Sequence, residues 1–286
     1  ASGEARQGAY LAIGGDVRRL VDTTMDFPVL GREAAHVQAI GVDGTVSAVL
    51  VANRSLSAAV VVRVTDDGTL TEVMKLGDLI PGTTAEVRTF GPLAVKDGAI
   101  TLFAYDPSFA VHVVQWRDGT RTLLAKPGME IPGVGTLSSI DSSEVHLAGD
   151  KVFLDGRMRR TEGGVVYGVF TASAAGLQSV LTSPKLDARR INGVSLMHAT
   201  EQRLLLAVRF EQGGAAYVAN VGPADAEPPV LLHSRDGQTG LRVTVPAGAM
   251  LEAAQALNGV WQTLPGTGEV LIPFDSAARF LRLKRP

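Results

Sequence analysis

The chain has 286 residues, with 27 lysines and arginines against 29 aspartates and glutamates, for a formal charge of −2. With no basic stripe, no polybasic run and no apolar stretch long enough to cross a bilayer, the composition argues against a nucleic-acid partner and against membrane insertion. The absence of cysteine excludes disulfides and cysteine-ligated zinc, and 32 glycines and 14 prolines suit many turns between short strands.

Residues 1–8, ASGEARQG, are polar and read as a frayed start. The chain opens on Ala1 with no signal peptide in view, which fits either removal of one or a trimmed chain. GAYLAIGGDVRRLVDT at 8–23 reads as two strands. A longer pattern then begins. VQAIGVDGTVSAVLVAN, FGPLAVKDGAITLFAYD, SSEVHLAGDKVFLDGRM and VSLMHATEQRLLLAVRF each read as strand, tight turn, strand, with turns at 43, 97, 149 and 201, at intervals of 54, 52 and 52. A third apolar strand follows each hairpin (60–64, 111–115, 165–170, 215–218), and then a fourth (69–74, 120–125, 176–181, 230–233). Residues 8–23 match only the third and fourth strands.

Each unit closes on a proline loop. KLGDLIPG at 75–82 and KPGMEIPG at 126–133 are near copies, DTTMDFPVLG at 22–31 is a degenerate one, and TSPKLDARR is an eroded fourth. Proline cannot donate to a strand ladder, so this loop belongs at the crossover between units. Four strands in about 50 residues, repeated, is the make-up of a propeller blade. The fold expected is therefore all-β and propeller-like, with about five four-stranded blades over residues 8–236 and a small C-terminal β-appendage or closing blade over 237–286. If LRVTVPAGAMLEA at 241–253 supplied the hairpin missing before residue 8, the ring would close with strands from both ends, and residues 10–21 would share a sheet with part of 241–283. The best helix candidate is 250–257, which reads equally as strand and turn.

The repeats resemble those of large bacterial secreted proteins with serial propeller-type blades, through the DG-type turn between apolar strands and the G-x-x-I-P-G loop, over about residues 8–233. The end of the chain is similar to a short C-terminal β-module of exported proteins, at Leu251, Leu257, Trp261, Phe280, Arg282 and Leu283. The second resemblance implies an extracytoplasmic location, whether secreted, periplasmic or on the cell surface, and implies no reaction.

The candidate site residues follow from position. His146 and His198 each stand three residues before their turn, on first strands of adjacent units, where Ile40 and Ala94 stand in the others. If they converge near an axis they are candidate metal ligands with Glu144, although two imidazoles fall short of a full zinc set; otherwise they are two hydrogen-bonded core histidines. Asp43, Asp97, Asp118, Asp155 and Asp236 all precede glycine and read as turn residues. Asp106, Asp141 and Glu144 do not, and are the candidate acids of a glycan-active hydrolase or lyase. Tyr105 and Trp116 are candidate sugar platforms or core residues, and Trp261 reads as an anchor of the terminal module. Arg157, Arg159 and Arg160 are a candidate patch for an anionic ligand, or a solvated loop. No nucleophile elbow, phosphate loop, zinc-protease motif, dinucleotide fingerprint or calcium loop is present, and no cofactor is expected. The function expected is that of an exported, non-catalytic binding or scaffold module for a glycan or a protein, with the glycan-active enzyme as the alternative.

Overall fold

The computed structural model describes residues 7–13, 15–30, 32–33, 36–44, 46–182, 185–186, 189–200, 203–211, 213–220, 232–236, 240–245, 250–254, 262–264, 268–273 and 280–284. They form an all-β, propeller-like protein of antiparallel sheets, divided into two compact units, residues 1–182 and 183–286. In the first unit, β1 (Gly8–Ile13) pairs with β2 (Asp16–Asp22), and β3 (Asp26–Phe27) with β4 (Arg32–Glu33) across a 3-10 turn at Pro28–Leu30. Then come β5 (His36–Asp43), β6 (Val46–Ala52), β7 (Ala59–Val64) and β8 (Leu70–Lys75), a four-stranded meander in sequence order. β9 (Thr89–Lys96), β10 (Ala99–Tyr105), β11 (Val111–Arg117) and β12 (Thr120–Ala125) form a second. The third contains β13 (Glu130–Ile131), β14 (Gly135–Ile140), β15 (His146–Ala148), β16 (Lys151–Arg160), β17 (Val165–Ser173) and β18 (Gly176–Leu181). Its first strand is broken, so that β14 and β15 pair with different stretches of β16.

The hairpins fall where the spacing places them. Asp97 and Gly98, with φ of 49° and 75°, and Asp118 and Gly119, with φ of 49° and 83°, are paired left-handed residues of two-residue turns. Aspartate tolerates that region, and the resulting twist matches the flanking strands. The first hairpin sits one residue later than the DG pair suggests. Asp43 ends β5 opposite Val46, and Gly44 opens the turn with φ of 56°. Counted from the turn, Gly41 rather than Ile40 holds the place of His146.

The second strand of each sheet explains its composition. β6 is buried at all seven positions and β10 at six of seven. Such a strand is covered on both faces, so its sequence is a continuous apolar run rather than an alternation. Successive residues enter different cores. Val49 and Val51 pack with Ala9, Leu20 and Val21, whereas Ala48 and Leu50 pack with Ile100 and Leu102 of the next sheet. Phe103 turns the other way, to Leu154, Met158 and Phe170.

The proline loops fill the seams. Phe27, Ile80 and Ile131, each just before a proline, are 4%, 0% and 1% exposed and belong to three successive cores. The two close copies share their backbone. Gly77 and Gly128 have φ of 83° and 87°, and their N–H groups donate to the carbonyls of Val87 and Leu137 at 2.9 and 2.7 Å.

The second unit holds β19 (Lys185–Leu186), β20 (Arg189–Ala199), β21 (Arg203–Phe210) and β22 (Gly214–Asn220) in one sheet. β21 buries Leu204, Leu206, Val208 and Phe210 on one face and leaves Leu205 39% exposed on the other. The strand expected as fourth in this sheet, β23 (Leu232–Asp236), pairs instead with β24 (Gly240–Val245), which also pairs with β27 (Gly268–Pro273). Residues 250–254 are a strand rather than a helix. This β25 (Met250–Ala254) lies between β26 (Gln262–Leu264) and β28 (Phe280–Lys284), with Leu251 directly opposite Leu283. The terminal segment is thus richer in strands than its sequence suggested. The sheet expected to join residues 10–21 with part of 241–283 is not among those formed by the described residues. Leu257 and Trp261 lie outside the described residues.

Ile131→Ala removes a side chain sealed between two sheets and is expected to cost about 2–5 kcal/mol in chemical denaturation. Gly168→Ala is expected to cost at least as much. Its Cβ would stand 2.0 Å from the backbone oxygen of Leu181, so the third sheet must open to admit it.

Candidate functional site

The break in the third sheet gathers several of the candidates. Between β14 and β15, residues 141–145 leave the ladder, and β16 passes opposite them at Leu154 and Asp155, between the pairs Ile140–Gly156 and His146–Phe153. Asp155 is 3% exposed. It lies inside a strand and is not the turn residue that its DG sequence implied. Gly156 is there because a Cβ would meet the Ser139 carbonyl oxygen at 2.2 Å. Buried Ser142 supplies the polar partner, donating from Oγ to Asp155 Oδ1 at 3.0 Å and accepting from the Asp155 N–H at 2.8 Å. The Asp155 carbonyl in turn accepts from the Asp141 N–H at 2.9 Å. Buried polar groups must be paired, and here the pairing ties the looped segment to the strand beneath it.

Asp141 faces outward from this knot. Its Oδ1 accepts from Ser139 Oγ at 2.8 Å, and its Oδ2 pairs with Arg157 Nε at 3.2 Å. The structure thus brings together two candidates proposed for different roles, an acid and an anion-binding arginine, and each satisfies the other. Glu144 is exposed. His146 is buried at 9% exposure in β15, opposite Phe153. His198, in the second compact unit, is exposed in β20 opposite Leu205. No cluster of three or more metal-ligating side chains occurs among the described residues.

A second polar pair anchors the loop between β10 and β11. Asp106 Oδ1 accepts from the N–H and Oγ of Ser108, at 2.8 and 2.6 Å, and from the Ala110 N–H at 3.0 Å. Its Oδ2 meets His112 Nε2 at 3.0 Å. An ionised carboxylate only accepts, so Nε2 carries the proton; Nδ1 is buried with no hydrogen-bond partner. Burial pushes the Asp106 pKa up, but the bonds from Ser108, His112 and the Ala110 and Ser108 amides outweigh it and hold the carboxyl at about 2. This is a structural carboxylate that caps a loop. In the first sheet Asn53 does the same work, with Oδ1 accepting from the Ala58 N–H at 3.2 Å and Nδ2 donating to Ser57 Oγ at 3.1 Å.

The candidate aromatics are turned inward. Trp116 is 5% exposed in the core between the first two sheets, with the Arg63 guanidinium 5.7 Å from its ring. Tyr105 is half-buried against the core between the second and third sheets, in the space left by Gly91. Neither offers a free platform for a sugar. Arg159 and Arg160 border a shallow cleft of about 380 Å³ with Glu130, Pro132 and Thr136, and Arg160 is paired with Glu162 at 2.8 Å.

The loops at one end of the first unit carry what residue-type reasoning missed. Leu56, Leu79 and Phe109 are 53%, 60% and 58% exposed. The loops adjoin one another. The Leu76 N–H bonds the Ala59 carbonyl, the Arg88 N–H bonds the Tyr105 carbonyl, and the Arg88 guanidinium lies 4.4 Å from the Phe109 ring. Leu56 and Phe109 have φ of 56° and 62°. In the third sheet the same turn position, bonded in the same way to the residue three before it, is Gly163. An L-residue in this region costs roughly 1–2 kcal/mol, which glycine avoids. The sequence signal was available, as a leucine and a phenylalanine where another repeat has glycine, but it lay in loops rather than in a motif.

No family model and no curated protein matches the chain. Among solved structures it is similar to the β-propeller domain of the trilobed protease from Pyrococcus furiosus, at 9% identity over 93% of this chain and 72% of that one, with a TM-score of 0.42. It is also similar to oligopeptidase B from Leishmania major, at 14% identity over 86% of this chain and 41% of that one, with a TM-score of 0.32. The all-β, propeller-like assignment rests on the chain's own repeated meanders.

The depressed pKa of Asp106 sets a direction with pH. Its folded value lies below the ordinary 3.8, so its contribution to stability is complete above about pH 4 and is lost as pH falls toward 2. Thermal melts across that window should show the loss in wild type and a flatter response in Asp106→Asn. At neutral pH the asparagine variant should cost less than Asp106→Ala, which strands the buried His112 and the loop amides and is expected to cost about 1–3 kcal/mol.

Proposed function

We propose that this chain is an extracytoplasmic, non-catalytic binding module that holds a protein ligand on the loop end bearing Leu56, Leu79 and Phe109. The observation that carries the reading is the left-handed backbone at Leu56 and Phe109. Two adjacent repeats keep a strained, exposed apolar residue where a glycine would relieve the strain, and local strain of this kind is retained where function uses it. Large apolar side chains at loop tips suit a protein surface, where they serve as anchors for a partner's pocket. They suit a glycan less, because only Phe109 of the three presents an aromatic face, while Trp116 is buried and Tyr105 half-buried. The candidate acids support the same reading. Asp106 caps the backbone of its own loop and Asp141 is bound to the side chains of Ser139 and Arg157, so both carboxylates already have protein partners.

The test is a triple variant, Leu56→Asn, Leu79→Asn and Phe109→Asn, since asparagine tolerates the left-handed region. Its melting temperature should match or exceed that of wild type, because the strain falls and little packing is lost. A protein retained by immobilised wild-type chain should bind the variant at least tenfold more weakly. Equal retention by both chains would sink the proposal, as would a variant destabilised by several kcal/mol, which would show that these side chains are structural.

A further inference from the structure

Asn53, Asn192 and Asn220 are the asparagines among the described residues, and of these Asn192 alone precedes a glycine. That dipeptide has a chemistry of its own. The backbone nitrogen of the following residue can reach the side-chain carbonyl carbon and close a five-membered ring, and glycine has no Cβ to obstruct the approach. Asparagine is thermolabile for this reason. Asn53 shows the opposite arrangement. Its carboxamide accepts from the Ala58 N–H and donates to Ser57 Oγ, and Arg54 follows it.

Two features of β20 remove the protection that a strand ordinarily gives. Ile191 pairs with Phe210 and Gly193 with Arg209, so Asn192 is the extra residue of a bulge, with no residue of β21 opposite it. A bulged residue is released from the ladder. The Asn192 side chain is also exposed. Bulges in two other first strands set out Gln38 and Ser138, and neither precedes a glycine. The second feature is Arg209. A Cβ at Gly193 would stand 3.0 Å from Arg209 Nη2 and 3.2 Å from its Nε, so the guanidinium lies against this glycine. It is a cation next to the place where negative charge develops when a nitrogen attacks a carbonyl carbon.

We propose that Asn192 is a site of spontaneous deamidation assisted by Arg209, with water as the only other reactant. The Gly193 amide nitrogen loses its proton and bonds to Asn192 Cγ. The Cγ–Nδ2 bond breaks, and ammonia carries that proton away. Water then opens the cyclic imide at one of its two carbonyls. The products are aspartate and isoaspartate, each with a new carboxylate beside Arg209. The isoaspartate form also adds a backbone carbon at the bulge and so lengthens β20 against β21. The second unit thereby carries a chemical clock. The site is separate from the loop tips at Leu56, Leu79 and Phe109, and either reading can fail without the other.

The intact chain is held at neutral pH and sampled over days, and trypsin then releases residues 191–203, INGVSLMHATEQR. This peptide should gain one mass unit and split into two chromatographic forms, at a rate equal to or above that of the same synthetic peptide free in solution. Arg209→Gln changes an exposed side chain, so its melting should stay near that of wild type. Conversion in that variant should slow about tenfold, a smaller effect than the loss of a buried oxyanion donor. Slower conversion in the intact chain than in the free peptide would overturn the proposal, because the strand would then protect Asn192. An equal rate in Arg209→Gln would overturn the part given to the guanidinium. A mass gain that persists in Asn192→Gln would place the reaction at another residue and overturn the assignment.

Discussion

Burial of the second strand on both faces is the constraint from which the other features follow. A strand such as β6, with no exposed residue, cannot exist in a single sheet with one face in water. Each Val or Leu that it buries is worth roughly 1.5–3 kcal/mol, and half of that gain comes from the next sheet along the chain. Stacking is therefore a condition of folding for the meanders built on β6 and β10. The apolar composition, the scarcity of aromatics and the plug residues Phe27, Ile80 and Ile131 all serve the seams between sheets.

Polar side chains inside the first unit are devices for departing from this regularity. The third sheet breaks its first strand, and Asp155 with Ser142 replaces the lost ladder. The loop after β10 makes a tight reversal, and Asp106 gathers its amides. Such groups look like an active site when read as residue types. Each has partners in this fold: Asp106 accepts from amides of its own loop and meets His112, and Asp141 pairs with Ser139 and Arg157. Asn53 performs the loop-capping task of Asp106 in the first sheet without a charge, so capping this turn does not itself require one.

The period, the hairpins, the proline crossovers and the all-β class were legible in the sequence. Each depends on local chemistry: Asp-Gly in a tight turn, proline outside a ladder, continuous apolar runs for doubly covered strands. Some register was legible to within a residue, and the slip at Gly41 shows why it went no further. DG marks a turn, but whether Asp or Gly opens it depends on how the two strands pair. The site was less legible. Asp155 shares its dipeptide with true turn residues, and only its place opposite the strand break distinguishes it. Trp116 and Tyr105 have the composition of a sugar platform, and their burial depends on the sheet packed above them.

By itself, then, the amino-acid sequence determined the repeating unit, because turn propensity and strand patterning act over a few residues. What only the tertiary structure decided was which side of each strand meets which neighbour. It turned Trp116 inward, set Asp106 against His112 six residues away, broke the third sheet's first strand at Asp141, and brought Phe109 beside Arg88 at a loop tip. Those outcomes depend on how the strands pair and stack, which no stretch of a few residues decides by itself. For that reason the first strand of one repeat can be continuous and that of another interrupted, although both are written in the same pattern.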